Sequence, residues 1–133
     1  MCRFVYVFSG LYLLISTVGC GDDATEADRI GVGAECTDSA ECPIEMEIEL
    51  ECLTQFKGGY CGLEGCTADS DCPEGSACVT HDDGKNYCFR LCSDKPDCNR
   101  NRSAENESNC VGSIDFVEPR NDRKACEPPS SGL

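Results

Sequence analysis

Cysteine dominates the chemistry that this sequence could perform. The chain of 133 residues contains 14 cysteines but a single histidine, His81. Cysteine thiols can bind zinc, attack a substrate or pair as disulfides. No two cysteines enclose just two residues, so the ligand spacing typical of structural zinc sites is missing from the sequence. With one histidine and no motif for an activated serine or cysteine, we expect no metal, no cofactor, no catalytic residue and no small-molecule substrate.

The cysteines after residue 35 form an internal repeat. Twelve lie there, an even number that can pair completely. The groups are Cys36, Cys42, Cys52 and Cys61; Cys66, Cys72, Cys78 and Cys88; and Cys92, Cys98, Cys110 and Cys126. In every group the first two cysteines enclose five residues. A short chain this rich in cysteine is typical of an exported protein that folds in an oxidising compartment.

Each group of four cysteines allows three disulfide connectivities, and the spacing does not decide between them. We expect the first cysteine to pair with the third and the second with the fourth. The expected disulfides are Cys36–Cys52, Cys42–Cys61, Cys66–Cys78, Cys72–Cys88, Cys92–Cys110 and Cys98–Cys126. In the loop-entropy description, closing a loop of about 15 residues stabilises a fold by roughly 3 kcal/mol. Such bridges would dominate the stability of a chain with few large apolar side chains.

The elements that position these cysteines are predicted to be short. We expect a small disulfide-rich fold, with tandem four-cysteine modules, short β-hairpins and little regular secondary structure. The modules are residues 36–61, 66–88 and 92–126, and the joints between them hold only four and three residues. Joints this short exclude independent linkers, so we expect the modules to abut as a short rod.

Turn and strand signals recur inside the modules. A hydroxyl residue follows the first cysteine and an acid precedes the second, which favours a tight turn in which the hydroxyl bonds a backbone N–H further along. The Asp-Asp-Gly sequence at 82–84 predicts a hairpin turn between strands 77–81 and 85–89. Residues 44–51 alternate apolar and acidic side chains, which predicts a strand with one solvated face.

The charged residues are mostly acidic. The formal net charge is −14, which excludes nucleic acid as a partner because its phosphates would be repelled and no basic patch offers counterion release. The clustered acids are Asp69, Asp71, Glu74, Asp82 and Asp83. They lack the glycine and the late glutamate of a calcium-binding loop, so we expect a solvated acidic surface. His81 is expected to be an exposed strand residue.

The N-terminus has the features of a cleaved export signal. Arg3 precedes an uncharged apolar stretch at 4–18, which is short for a membrane span. The stretch runs into the sequence STVGCGDD, which resembles the signal of bacterial lipoproteins. That resemblance implies removal of a signal peptide at 1–19 and acylation of Cys20, which would anchor the protein to a membrane of the cell envelope. Ordinary signal-peptidase cleavage nearby, giving a free extracellular protein, is the alternative.

Cysteine parity supports a special role for Cys20. Cys2 is lost with the signal, and the later cysteines can pair among themselves, so Cys20 is left without a partner. A free thiol is reactive in an oxidising compartment, so Cys20 should be either acylated or removed. Residues 20–35 would then be a flexible tether and residues 127–133 a disordered tail.

The second module carries a family resemblance. Its segment from Cys66 to Val79 reads CTADSDCPEGSACV, which is similar to the opening of the Dickkopf N-terminal cysteine-rich repeat. The first module matches this pattern in part, and the third matches mainly in cysteine order. The resemblance implies a non-catalytic binding or structural module with an unknown extracytoplasmic protein partner. A secreted protease inhibitor or antagonist that presents a loop within 99–109 is the alternative.

Overall fold

The computed structural model describes residues 25–29, 31–42 and 48–129. The α-helices are α1 (Glu26–Arg29) and α2 (Lys95–Cys98), and single 3₁₀ turns occupy Ser39–Glu41, Asp69–Asp71 and Ala104–Asn106. The strands are β1 (Glu51–Cys52), β2 (Cys61–Gly62), β3 (Ser76–Thr80), β4 (Asn86–Cys92), β5 (Asn109–Val111), β6 (Asp115–Phe116) and β7 (Lys124–Glu127). In these ranges no helix is both long and apolar enough to cross a membrane. The predicted fold class, a small disulfide-rich protein with short antiparallel strands and hairpins, is confirmed.

The strands form two antiparallel sheets, and the larger one crosses the predicted module boundaries. β1 and β2 pair within the first module, and the other strands form a five-stranded sheet in the order β5-β7-β4-β3-β6. β4 runs through the joint between the second and third modules, and its Leu91 pairs with Ala125 of β7. β6 pairs with β3, placing Phe116 opposite Val79. The second and third modules therefore share one sheet and are not successive segments of a rod.

The hairpin predicted in the second module is present. β3 and β4 pair in register, with Cys78 opposite Cys88. Beyond the strands, the His81 N–H donates to the Lys85 carbonyl at 2.9 Å. Gly84 follows in the turn with a φ of 78°, a conformation that strains any residue with a Cβ. β4 continues past the predicted end of the strand and so reaches the third module.

One apolar core joins all three modules. Phe56 and Tyr60 of the first module are buried against Tyr87 and Phe89 of β4. The ring centroids of Phe56 and Phe89 lie 5.7 Å apart with an interplanar angle of 73°, an edge-to-face contact. Ala125 of β7 brings the third module into the same cluster. Four of the five aromatic residues in the described ranges thus meet at one junction, where they build a larger core than the composition suggested.

The described part of the predicted tether is packed against the modules. Ala27 in α1 and Val32 are 0% and 1% exposed. The Gly33 N–H donates to the Cys61 carbonyl at 2.9 Å. The Ala27 N–H donates to the Glu74 carbonyl at 2.7 Å. The expectation of a flexible tether therefore does not hold for these residues, because backbone bonds and small apolar side chains attach them to the first two modules; the rest of the tether lies outside the described ranges.

The predicted C-terminal tail begins inside the fold. β7 ends at Glu127, and the Lys57 N–H donates to the Pro129 carbonyl at 3.0 Å. These contacts make residues 127–129 part of the folded unit, in contrast to the expected disordered tail. Residues 130–133 lie outside the described ranges.

The alternating segment 44–51 is described only from residue 48. There Leu50 is buried while Glu49 and Glu51 are exposed, which follows the predicted alternation. Only Glu51 and Cys52 pair as a strand, β1. The described acidic side chains face solvent, as expected where the other face of an extended segment meets the core.

Candidate functional site: the disulfide framework and an arginine-lined cleft

Six disulfides join the cysteines that the structure describes. They are Cys36–Cys52, Cys42–Cys61, Cys66–Cys78, Cys72–Cys88, Cys92–Cys110 and Cys98–Cys126. These are the pairs preferred from the sequence, first with third and second with fourth in each module. A framework this dense indicates an oxidising, extracellular environment. Cys20, the predicted lipidation site, lies outside the described residues.

The two disulfides of each module lie side by side. In the first module the Sγ atoms of Cys36, Cys42 and Cys61 lie within 4.8 Å of one another, and the other two modules repeat this arrangement. Within the described ranges, no other group of three or more His, Cys, Asp or Glu side chains is close enough to hold a metal ion. Because the thiolate is the metal-binding form of cysteine, the oxidised sulfurs provide covalent closure and no metal ligands.

A carboxylate closes the recurrent turn between the first two cysteines of each module. The Glu41 carboxylate accepts the Thr37 N–H at 2.6 Å and the Thr37 hydroxyl at 3.1 Å. The equivalent backbone bonds run from Thr67 to Asp71 at 2.8 Å and from Ser93 to Asp97 at 2.9 Å. These backbone N–H groups hold the pKa of all three acids below its ordinary value. The turn is therefore made by the acid, whereas the sequence suggested that the hydroxyl would bond the backbone.

Asp69 and Asp83, two of the acids considered for calcium, accept hydrogen bonds from different neighbours. Asp69 accepts the Cys78 N–H at 2.9 Å and lies 3.5 Å from the Arg120 guanidinium. Asp83 accepts the Tyr87 hydroxyl at 2.7 Å. Each carboxylate thus already satisfies neighbouring donors, and the two do not converge on a shared site.

His81 is buried, which corrects its prediction as an exposed strand residue. Its side chain is 7% exposed, and its ring centroid lies 5.2 Å from that of Phe56 and 6.0 Å from that of Phe89. Its Nδ1 lies 3.6 Å from the Asp83 carboxylate, and its Nε2 lies 3.9 Å from the Glu127 carboxylate. Phe56 and Glu127 belong to other parts of the chain, so the hairpin sequence alone could not reveal that this position is covered.

The loop considered for protease inhibition, 99–109, is fastened to the fold by Arg102. This residue is only 9% exposed. Its guanidinium donates to the backbone carbonyls of Gly33, Gly59, Lys57 and Asn106 at 2.7–3.0 Å. Its Cζ also lies 5.8 Å from the centroid of the Tyr60 ring. Arg102 is therefore a structural tie between the loop, the first module and the N-terminal segment, and it is not displayed to a protease.

Apart from Arg102, a group of arginines converges on an open cleft of about 490 Å³. Four of the six arginines that the structure describes line it, namely Arg90, Arg100, Arg120 and Arg123. The three carboxylates of the lining are Asp28, Asp97 and Asp122. The walls come from α1, β4, α2 and the segment before β7, with Thr25 also among the lining residues. The lining holds four arginines and three aspartates, and Asp69, outside the lining, lies 3.5 Å from the Arg120 guanidinium, so the four positive charges are balanced locally.

The arginines of the cleft differ in how far they are satisfied by the protein. Arg90, with a side chain 7% exposed, contacts the Asp28 carboxylate. Burial lowers the pKa of Arg90, and the nearby positive charge of Arg100 lowers it further. Arg100 is 59% exposed while lying 3.7 Å from Asp28 and 3.1 Å from Asp97. Arg123 is exposed and, within the described ranges, forms no ion pair with a carboxylate. The outer guanidiniums therefore retain donors for an anion.

The sequence did not single out this cleft. Its arginines are spread from residue 90 to residue 123 among acids, so no continuous basic segment marks them. The available signal was indirect, because five of the seven arginines fall after residue 89 in a strongly acidic chain. The fold brings them together through the pairing of β4 with β7 and the packing of α1.

No family model, curated protein or solved structure matches the chain. The lipoprotein and Dickkopf resemblances therefore stay predictions. The function is inferred from the chain's own residues.

Proposed function

We propose that the protein is an exported, non-catalytic module, anchored to the cell envelope through an acylated Cys20, that presents a rigid surface to an extracytoplasmic partner. The observation that carries this proposal is the framework of six disulfides around a core shared by all three modules. Such a framework holds a surface rigid in a chain with little apolar material. Rigidity favours binding because less conformational entropy is lost when the partner docks.

The surroundings of the one histidine support a non-catalytic role. A histidine that activates a nucleophile needs a hydroxyl or thiol within hydrogen-bond reach. The ring nitrogens of His81 instead face the carboxylates of Asp83 and Glu127, and aromatic rings cover the side chain. The cysteines of the described ranges are all held in disulfides, so none offers a thiolate.

The position of the N-terminal segment supports an anchored platform. Thr25 lies five residues after Cys20 and lines the arginine cleft. Because an extended residue spans at most about 3.6 Å, a lipid on Cys20 would keep this face of the fold within roughly 18 Å of the membrane. An anchor so close to the folded body would restrict the orientation of the module as well as its distance from the membrane.

Intact mass spectrometry tests the proposal. The protein is taken from the membrane and secreted fractions, before and after reduction and alkylation. We expect a membrane-bound species with the mass of residues 20–133 plus acyl chains, in which twelve alkylations appear only after reduction. A Cys20→Ala variant should lose the acyl mass and leave the membrane fraction. A wild-type species that starts near Asp22 without lipid would contradict the anchor, and alkylation without reduction would contradict the disulfide framework.

A further inference from the structure

The arginine-lined cleft has the chemistry of an oxyanion site. We propose that it binds phosphate groups, and that their source is the lipid headgroups of the membrane that carries the protein. The headgroup source rests on the proposed Cys20 anchor, whereas phosphate recognition by the cleft does not. The planar guanidinium matches the oxygens of phosphate through paired N–H bonds, which is why arginine is preferred for this ligand.

The two outer arginines supply the free donors. Arg100 lines the cleft and is 59% exposed even though it approaches two carboxylates, so part of its guanidinium stays accessible to solvent. Arg123 donates to the Ser93 hydroxyl at 3.4 Å, a long contact that leaves its other donors available. By contrast, the guanidinium of Arg102, which lies outside the cleft, donates its hydrogen bonds to backbone carbonyls. Within the described ranges, the cleft therefore brings four guanidiniums together and leaves some N–H donors of Arg100 and Arg123 without a protein acceptor.

The rest of the cleft is held in place by contacts within the protein. Arg120 donates to Asp122 at 2.9 Å, approaches Asp69 at 3.5 Å, and lies 5.7 Å from the centroid of the Phe116 ring. Arg90 forms the buried wall through its contact with the Asp28 carboxylate. Walls that are ordered before binding lower the entropic cost of capturing a ligand.

Location and charge favour headgroup phosphate over other sources. Thr25 lines the cleft, so an acylated Cys20 would hold the cleft within roughly 18 Å of the bilayer surface. At that distance a headgroup has a high effective concentration for the cleft. The net charge of −14 repels an anionic membrane from most of the surface, so the exposed guanidiniums of Arg100 and Arg123 would also select which face approaches the bilayer.

Phosphate binding is tested first in solution. The exported chain, residues 20–133 with Cys20→Ser, is titrated with inorganic phosphate at constant ionic strength while the arginine Nε–H signals are followed by NMR. We expect saturable shifts of the Arg100 and Arg123 signals with a dissociation constant on the order of 1 mM. The Arg100→Gln/Arg123→Gln double variant should bind at least about tenfold more weakly. Unsaturable or uniformly distributed shifts in the parent chain would overturn the phosphate site.

A matched pair of lysines controls for the loss of positive charge. Lys85 pairs with Glu64 at 2.8 Å and Lys95 pairs with Glu107 at 2.6 Å, and neither lysine lines the cleft. The Lys85→Gln/Lys95→Gln double variant removes the same charge and should bind phosphate within about twofold of the parent. If it weakens binding as much as the arginine variant does, the effect is one of net charge, and the cleft is not a site.

The source of the phosphate is tested with a water-soluble, short-chain phosphatidylglycerol. In the same NMR titration it should shift the Arg100 and Arg123 signals in a saturable way, inorganic phosphate should compete with it, and the double arginine variant should lose the response. Binding of inorganic phosphate without binding of this phospholipid headgroup would overturn the headgroup source and assign a soluble phosphate compound. The Cys20→Ser chain carries no lipid, so failure of the anchor in the mass experiment and failure of the cleft here are separate results.

Discussion

Arg102 and Arg90 are both buried arginines, yet the protein satisfies them in opposite ways. Arg102 donates to four backbone carbonyls, whereas Arg90 contacts the carboxylate of Asp28 beside a second arginine. The first guanidinium lies inside the fold, between the loop and the first module. The second forms the wall of an open cleft.

Tyr60 connects these two regions. Its hydroxyl accepts the Arg90 N–H at 3.0 Å and donates to the Cys126 carbonyl at 3.3 Å, while the Arg102 guanidinium lies over its ring. The comparison teaches that the number of arginines does not locate a binding surface in this molecule. The cleft is distinguished by guanidinium N–H donors of Arg100 and Arg123 that have no acceptor within the described part of the protein.

The largest expected effect is the loss of the Arg102 tie. Arg102→Met leaves buried carbonyls of the loop, the first module and the N-terminal segment without a donor, so the free energy of unfolding should fall by at least about 3 kcal/mol. Urea denaturation with the disulfides intact measures this change. Arg123→Gln, at an exposed position, is the matched control and should change stability by less than about 0.5 kcal/mol. A loss below about 1 kcal/mol for Arg102→Met would show that the carbonyls find other donors.

A smaller loss is expected at the buried ion pair. Asp28→Asn leaves Arg90 buried without its counter-charge, which should cost about 2 to 4 kcal/mol of stability. The Asp28→Asn/Arg90→Met double variant should be less destabilised than the sum of the two single variants, because it removes both charges together. Additive effects in this double-mutant cycle would show that the two side chains do not interact energetically.

The hydroxyl of Tyr60 is expected to contribute less again. Tyr60→Phe keeps the ring packing but leaves the Arg90 N–H and the Cys126 carbonyl unsatisfied, at a cost of about 1 to 2 kcal/mol. The same unfolding measurement applies. Tyr87→Phe provides a comparison, since its hydroxyl bonds the exposed Asp83 carboxylate, and it should cost less than Tyr60→Phe. Equal losses would show that burial of the hydroxyl does not set the size of the effect.

The smallest expected effect is on the pH dependence of stability. It distinguishes a carboxylate that accepts backbone N–H groups, Asp71, from one that also pairs with an arginine, Asp97. Backbone N–H groups lower the pKa of both Asp71 and Asp97, so their stabilisation is present above the unfolded value near pH 3.9 and is lost as the pH falls through the lower folded pKa. Asp71→Asn and Asp97→Asn should each flatten the decline in stability below about pH 4.

Salt distinguishes the two acids. Asp97 also pairs with the exposed Arg100, so added salt should shrink its contribution, whereas the contribution of Asp71 should change little. Urea midpoints measured between pH 2 and 5 at low and high ionic strength, a window set by the usual carboxyl range, provide the test. Identical salt responses would contradict the distinction between the two acids.

The features that could be predicted from the sequence are local ones. The hairpin followed from an Asp-Asp-Gly turn between two short strands, and β3 and β4 pair around it. The disulfides of each module are the pairs that we preferred, although the cysteine spacing alone left three connectivities open. The turn between the first two cysteines was located, although its bonding differs. These features depend on residues within one module, where spacing and turn chemistry act directly.

The features that escaped prediction depend on contacts between modules. His81 is covered by Phe56, Arg102 reaches the carbonyl of Gly33, and α1 packs through Ala27. None of these side chains stands out locally, since a lone histidine, an arginine in a polar loop and an alanine in an acidic segment are all common at surfaces. The cleft also depends on contacts between modules, because its arginines are distant in sequence and are brought together by the larger sheet.

The continuous strand β4 has a consequence for how such a protein can change. Because residues 86–90 of β4 pair with β3 and residues 91–92 pair with β7, the second and third modules cannot be exchanged as independent units. A duplicated or transplanted copy of the second or the third module would expose an unpaired strand edge, which is prone to pair with another chain. An added repeat next to the first module would leave the sheet of β1 and β2 intact, but it would have to preserve the core that Phe56 and Tyr60 share with β4.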